Sequence, residues 1–250
     1  MYPHRIRLRG PWEFEPLSRA GAKPDEPLPP GGRMTMPARW GEGGLAGFGG
    51  RVRFRRRFGY PGRLDPTDRV WLTFAGVEAC AEVWLNGHFL GKREGNTGPF
   101  EFEITPLLLA RNELRVEVEA PTSGDGLWGE VALEIRCTAF LRAVRIYPVR
   151  LGETLALHVE GELVGTWDRP LELYVLLDGS TVHYTTLEAA AGGRLFHVQA
   201  EVVNPEPRQV GAESQAHEVR VELVNGAVVW YRIDQAVAFP GEPAYEGENS

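Results

Sequence analysis

Apolar and polar residues alternate along most of this chain, and that period of two is the signature of half-buried β-strands. In "RVRFRRRF" (51–58), Val52, Phe54 and Phe58 fall on one face and Arg51, Arg53, Arg55 and Arg57 on the other. Arg56 falls on the apolar face, where its charge needs a partner. "RVWLTFAGV" reads as a strongly apolar strand. "NELRVEVEA" turns Leu114, Val116 and Val118 inward, and "GEVALEIRC" does the same with Val131, Leu133 and Ile135. The stretch "VWLNGHFLGKREGNTGPFEFEI" (83–104) opens as a hairpin, because Asn86-Gly87 supplies the positive φ angles of a two-residue turn. Its polar, glycine-spaced segment "GKREGNTG" reads as a loop before the next strand.

The same texture continues past residue 138. "LRAVRIYPV", "TLALHVEGEL", "LELYVLLDGSTVHYTTL", "RLFHVQAEVV", "HEVRVELV" and "AVVWYRIDQAVAF" follow one another, with turn pairs at Asp178-Gly179 and Asn225-Gly226. About seven strands in about 100 residues is the pattern of an immunoglobulin-like sandwich. No convincing amphipathic helix occurs; "TPLLLAR" suits a single turn. Residues 16–50 are rich in Pro and Gly and predict irregular surface. The acidic tail 241–250 predicts fraying.

Charge sharpens the division. The net charge of −7 is unevenly spread: residues 1–138 sum to +1 and residues 139–250 to −8. That argues against nucleic-acid affinity, which needs a basic surface. No apolar run approaches the roughly 20 residues of a membrane-spanning helix, so no membrane partner is expected. The N-terminus "MYPHRIRLRG" lacks the apolar core of a signal peptide, and a cytoplasmic location is expected. The two cysteines, Cys80 and Cys137, sit in apolar strand-like runs and read as buried thiols; a bridge between them is a minor alternative.

Five elements in order, "FAGV", "AEVWLNGHFLG", "PFEFEIT", "NELRVEV" and "GLWGEVALE", resemble the N-terminal sugar-binding domain of family 2 glycoside hydrolases, the β-galactosidase, β-glucuronidase and β-mannosidase group. "GPWEF" and "MPARW" resemble that domain's opening strand and the approach to its core. The second half resembles the family's next domain by position and strand pattern. The resemblance implies an all-β chain: a jelly-roll, galactose-binding-like β-sandwich over 1–138, then an immunoglobulin-like β-sandwich over 139–240. It also implies a catalytic (β/α)8 barrel with a glutamate pair. Such a barrel takes about 250 residues, and retaining enzymes set their two carboxyls roughly 5 Å apart. The sequence read here shows no barrel.

No catalytic residue is therefore expected. Asn112-Glu113 imitates the asparagine-glutamate of the family's acid/base, but "RNELRVEV" reads as a turn feeding a strand with Glu113 facing solvent. The six histidines are scattered and form no nucleophile motif. No cofactor is implied; a structural calcium is conceivable, but no ligand spacing predicts it. Where the family usually has Arg after the aromatic of "GLW", this chain has Gly129. The expected carbohydrate-binding residues lie in loops: Trp40, Arg93, Asn96, Asp125 and Trp128, with Phe48 beside them, since an aromatic face stacks on a sugar ring and polar neighbours orient it. Trp12, Trp71 and Trp84 fall in strands and read as core. The expected function is a non-catalytic carbohydrate-binding or accessory protein, whose partner is a glycan or a glycoside hydrolase subunit. Two alternatives stand beside it: a fragment or subunit of a β-glycosidase whose barrel lies on another chain, and a protein-interaction module without sugar binding.

Overall fold

The structure is a computed structural model, and it describes residues 3–21, 27–78, 80–95, 98–120, 126–151, 154–188, 193–202 and 216–239. The tail 241–250 lies outside them. Among the described residues, regular structure is strand throughout, apart from two short 3-10 turns at Trp40–Gly43 and Thr105–Leu107. The chain divides into two compact units, His4–Ile135 and Arg136–Ser250, the latter joined by Met1–Pro3.

The first unit is a sandwich of two antiparallel sheets. Its strands are β1 (His4–Arg7), β2 (Trp12–Arg19), β3 (Gly32–Met34), β4 (Gly50–Gly59), β5 (Asp68–Phe74), β6 (Cys80–Leu85), β7 (His88–Glu94), β8 (Phe100–Glu103), β9 (Arg111–Ala120) and β10 (Val131–Cys137). One sheet runs β3-β2-β4-β9-β6-β7 and the other β1-β10-β5-β8. The inward set anticipated from alternation is buried: Val52 and Phe54 on β4, Leu114, Val116 and Val118 on β9, Val131, Leu133 and Ile135 on β10. Burying each such side chain contributes roughly 1.5–3 kcal/mol. Arg56, on the apolar face of β4, finds its partner in the carbonyl of Pro11 at 3.2 Å.

Three local expectations are corrected. The segment after the Asn86-Gly87 turn continues as strand β7 through Glu94, pairing with β6 up to Cys80↔Glu94. As the outermost strand of its sheet it tolerates the polar residues Lys92, Arg93 and Glu94. The Pro/Gly-rich stretch 16–50 is not all surface, since Trp40, Leu45 and Phe48 are buried. Of the strand tryptophans, Trp12 is buried and donates to the Leu8 carbonyl at 2.6 Å. Trp71 and Trp84 are only half-buried; Trp84 carries the Arg115 guanidinium 4.1 Å above its ring.

The second unit comprises β11 (Ala139–Leu151), β12 (Thr154–Gly165), β13 (Leu171–Leu177), β14 (Ser180–Leu187), β15 (Arg194–Val202), β16 (His217–Asn225) and β17 (Val228–Val237). Its sheets run β11-β12-β15 and β14-β13-β16-β17. These seven strands form an immunoglobulin-like sandwich in which the fourth strand pairs with the third instead of returning to the first sheet. Leu155, Leu157, Val159, Leu173, Val175, Val219, Val221 and Leu223 fill its core with Trp167 and Trp230. Asp178 (φ 48°) and Gly179 (φ 85°) close the β13–β14 hairpin, as the Asp-Gly pair requires.

Candidate functional site

Two connections of the first unit meet at one end of its β1-β10-β5-β8 sheet. The chain leaves β5 through Ala75–Glu78, and it re-enters the sheet at β10 through Gly126–Glu130. Four hydrogen bonds join these segments: Ala75 N–H to Glu130 O at 2.9 Å, Glu78 N–H to Gly126 O at 2.9 Å, Gly129 N–H to Gly76 O at 3.1 Å, and Gly126 N–H to Glu78 Oε2 at 3.3 Å. Each bond satisfies a loop backbone group that would otherwise need water. Within the second segment, Leu127 is buried and Trp128 turns outward, 41% exposed. The Trp128 indole lies on Gly76, where a β-carbon would sit 2.4 Å from Cζ2.

Gly129 now has a physical reason. A β-carbon there would stand 2.2 Å from the Gly76 nitrogen, so the closeness of the two segments excludes any side chain, the family's Arg included. Gly126 is equally constrained. Its φ is 65°, and a β-carbon would fall 1.5 Å from Trp40 Nε1; glycine meets both demands.

The expected site residues separate. Trp128 is the one expected aromatic that is exposed among the described residues. Trp40 is corrected: its loop is a 3-10 turn, its side chain is 0% exposed, and its ring packs 5.9 Å from that of Phe48. It is a structural support for the Gly126 segment and offers no surface to a ligand; Phe48 is buried for the same reason. Arg93 is exposed on β7, with its guanidinium 5.7 Å and 6.0 Å from the rings of Phe100 and Phe102. Asn96 and Asp125 lie outside the described residues. Sequence reasoning did not single out Glu78, which bonds Gly126, or Gly76, which supports the Trp128 ring. The isolated Gly of "FAGV", at a strand end, was the available signal, because such a glycine marks close backbone approach.

Several carboxylates on the outer sheet faces are tied to basic side chains. On the outer face of the six-stranded sheet, Glu117 accepts from Arg51 Nε at 2.8 Å and from Arg53 Nε at 2.9 Å. Arg51 also reaches Glu82 at 2.6 Å, and Glu15 pairs with Arg53 and Arg55 at 3.4 and 3.3 Å. Burial alone would raise the Glu117 pKa, but the hydrogen bonds and charges of Arg53 and Arg51 outweigh it and hold the carboxyl below its usual range. Asp234 is likewise held low, first by its hydrogen bond from Arg232, and Glu94 by Lys92. Among the described residues, the three carboxylates with a resolved shift, Glu94, Glu117 and Asp234, all move down. Asn112 and Glu113 are structural too. Asn112 is buried and bonded to Asn86 and Leu109, and Glu113 is exposed and paired with Arg57 at 3.2 Å. Among the described residues, no group of three or more His, Cys, Asp or Glu is placed to hold a metal ion, and no helix is long and apolar enough to cross a membrane.

Comparison with known proteins places this geometry. Residues 50–126 match the glycosyl hydrolase 2 galactose-binding domain-like family. The β-galactosidase of Halalkalibacterium halodurans is 33% identical over 108 residues, which is 43% of this chain and 10% of that protein. The β-galactosidase large subunit of Lactobacillus helveticus is 33% identical over 93 residues, 37% of this chain and 14% of the relative. The chain thus spans a small part of these relatives. Its fold matches a β-D-mannosidase from Dictyoglomus thermophilum with a TM-score of 0.75 at 16% identity, over 94% of this chain and 36% of that one. A β-glucuronidase from Bacteroides uniformis matches with a TM-score of 0.75 at 18% identity, over 94% and 32%. The molecule is an all-β pair of sandwiches with the fold of these solved structures. Over residues 50–126 it is similar to the glycosyl hydrolase 2 galactose-binding domain-like family, and part of the chain is similar to β-galactosidases.

Proposed function

We propose that this chain is a non-catalytic, galactoside-binding accessory to a family 2 glycoside hydrolase. The observation that carries this reading is the outward Trp128 ring, held on Gly76 by two hydrogen-bonded segments with Glu78 beside them. A rigid aromatic face costs little ordering entropy on binding, and it stacks on the apolar face of a pyranose while carboxylate oxygens accept hydroxyl protons.

Titration of the full chain with lactose, followed by calorimetry and by Trp fluorescence, tests the proposal. Weak saturable binding that falls at least tenfold in Trp128→Ala is the expected result. Turnover of a chromogenic galactoside by the purified chain, with contaminating hydrolase excluded, would overturn it.

One observation favours a second reading. The Lactobacillus helveticus relative is named as a large subunit, and an accessory of this kind then works by docking on a hydrolase chain. Co-purification with such a chain, and a rise in its activity on mixing, would support the docking role.

A further inference from the structure

The second unit carries an aromatic pair on the outer face of one of its sheets. On the outer face of the β14-β13-β16-β17 sheet, Tyr174 and Tyr184 are cross-strand partners. Their ring centroids stand 5.0 Å apart at 53°. Both phenols converge on one carboxylate: Tyr174 donates to Glu172 Oε2 at 3.2 Å and Tyr184 to Glu172 Oε1 at 3.4 Å. Thr186 Oγ1 lies 3.4 Å from the Tyr184 hydroxyl. The Tyr184 residue is 50% exposed, and β14 is the outer strand of its sheet.

A cross-strand tyrosine pair alone is a common stabiliser of a sheet, worth roughly 0.2–1 kcal/mol. Three features here go further. The two rings are fixed by hydrogen bonds at their tips, so the platform is organised before any ligand arrives. Glu172 has no described cation beside it, and its remaining lone pairs are open to donors. The charges farther along the face are already paired: Asp234 takes Arg220 at 2.8 Å and Arg232 at 2.7 Å. The surface therefore offers two twisted apolar rings, the acceptor-rich Glu172, a second carboxylate in Glu222 on the strand next to Tyr174, and hydroxyl groups.

We propose that Tyr174, Tyr184, Glu172 and Thr186 form a second glycan platform, separate from the Trp128 end, that takes a neutral polysaccharide chain. Consecutive pyranose rings stack on the two tyrosines, whose mutual tilt suits a chain that turns between residues. Glu172 accepts hydrogen bonds from the sugar hydroxyls at the edge of the platform. A uronate or sulfated chain is repelled by the same carboxylate.

The test is native affinity electrophoresis of the full chain through gels holding soluble β-1,4-galactan, soluble mixed-linkage β-glucan or polygalacturonate. All variants are built in a Trp128→Ala background, so that loss of the other site does not intrude. Retardation by at least one neutral polymer and none by polygalacturonate is expected. Adding Tyr184→Ala should weaken that retardation at least fivefold, and Tyr184→Phe, which keeps the ring and the fold, roughly twofold. Migration unchanged by both neutral polymers would overturn the proposal. So would retardation that survives Tyr184→Ala in a protein whose melting temperature is unchanged. If Tyr184→Ala fails to fold, Tyr184→Phe and Glu172→Ala decide in its place, and full retention in both would sink the platform.

Discussion

Trp128 rests on Gly76, and the contact is so close that a β-carbon at position 76 would overlap the indole edge at 2.4 Å. Gly76→Ala should therefore lift Trp128 and strain the hydrogen bond between Gly129 and Gly76. Overpacking of this kind costs about 1–3 kcal/mol. Trp128→Ala removes a ring that is 41% exposed and packed on Gly76, so it should also cost about 1–2 kcal/mol. Both variants should lose lactose binding, and Gly76→Ala should melt at least as early as Trp128→Ala. Lactose titration and thermal unfolding of the two proteins check the pair of outcomes.

Asn86 and Asn112 join the hairpin turn to the start of β9. Asn112 Oδ1 accepts from Asn86 Nδ2 at 2.9 Å and from the Leu109 N–H at 2.9 Å, while Asn112 Nδ2 donates to the Leu109 carbonyl at 2.8 Å. Asn112→Ala leaves several groups in a buried place without partners and should cost about 2–3 kcal/mol. Glu113→Gln, at the exposed neighbour, should change stability by less than about 1 kcal/mol, the usual worth of a surface ion pair. Urea unfolding at pH 7 distinguishes them.

Glu117 links stability to pH. Its side chain is 8% exposed between Arg51 and Arg53, and its folded pKa lies below the ordinary 4.5. A depressed carboxyl stabilises the fold fully above its unfolded pKa, and that contribution fades as pH falls through the folded value. The first unit should lose stability between about pH 5 and the lower folded pKa. Glu117→Gln should be less stable at pH 7 by about 1 kcal/mol, because two half-buried guanidiniums each lose one of their carboxylate partners, and should show a flatter acid limb. Unfolding curves from pH 7 to pH 3 measure both.

Cys80 and Cys137 are free thiols, one half-buried and one buried. Burial raises the Cys80 pKa, with Lys92 opposing and nearby carboxylates adding to the rise, so its thiolate is scarce at pH 7. A thiol reagent without prior reduction should find Cys80 reacting slowly in the native chain and two thiols in the denatured one. A single thiol or none after denaturation would refute this.

Much of the fold was legible because alternation and turn chemistry act locally. Val52, Phe54, Leu114, Val116 and Val118 lie inward as the period of two requires, and Asn86-Gly87 and Asp178-Gly179 close their hairpins. The site was less legible. Trp40 sits among glycines, which signal loops, yet the loop folds back and buries it: composition reports local flexibility, and burial is decided by distant partners such as Gly126. Alternation puts the arginines of β4 on the face away from Val52 and Phe54, but the register sets Arg53 opposite Glu117 and Glu15, and no local pattern reveals cross-strand partners. Arg93 was placed in a loop because polar residues depress strand propensity, an effect that an outermost strand tolerates.

The N-terminal strand has one further consequence. β1 covers the free side of β10, pairing from His4↔Ile135 to Arg7↔Ala132, and Arg5 and Arg7 tie it to Glu130 at 2.8 and 2.7 Å. All seven residues of β10 are buried. A chain shortened by its first seven residues would leave the backbone donors and acceptors of that apolar strand open to a neighbouring molecule. Aggregation, more than local unfolding, is then the failure to expect from so small a deletion.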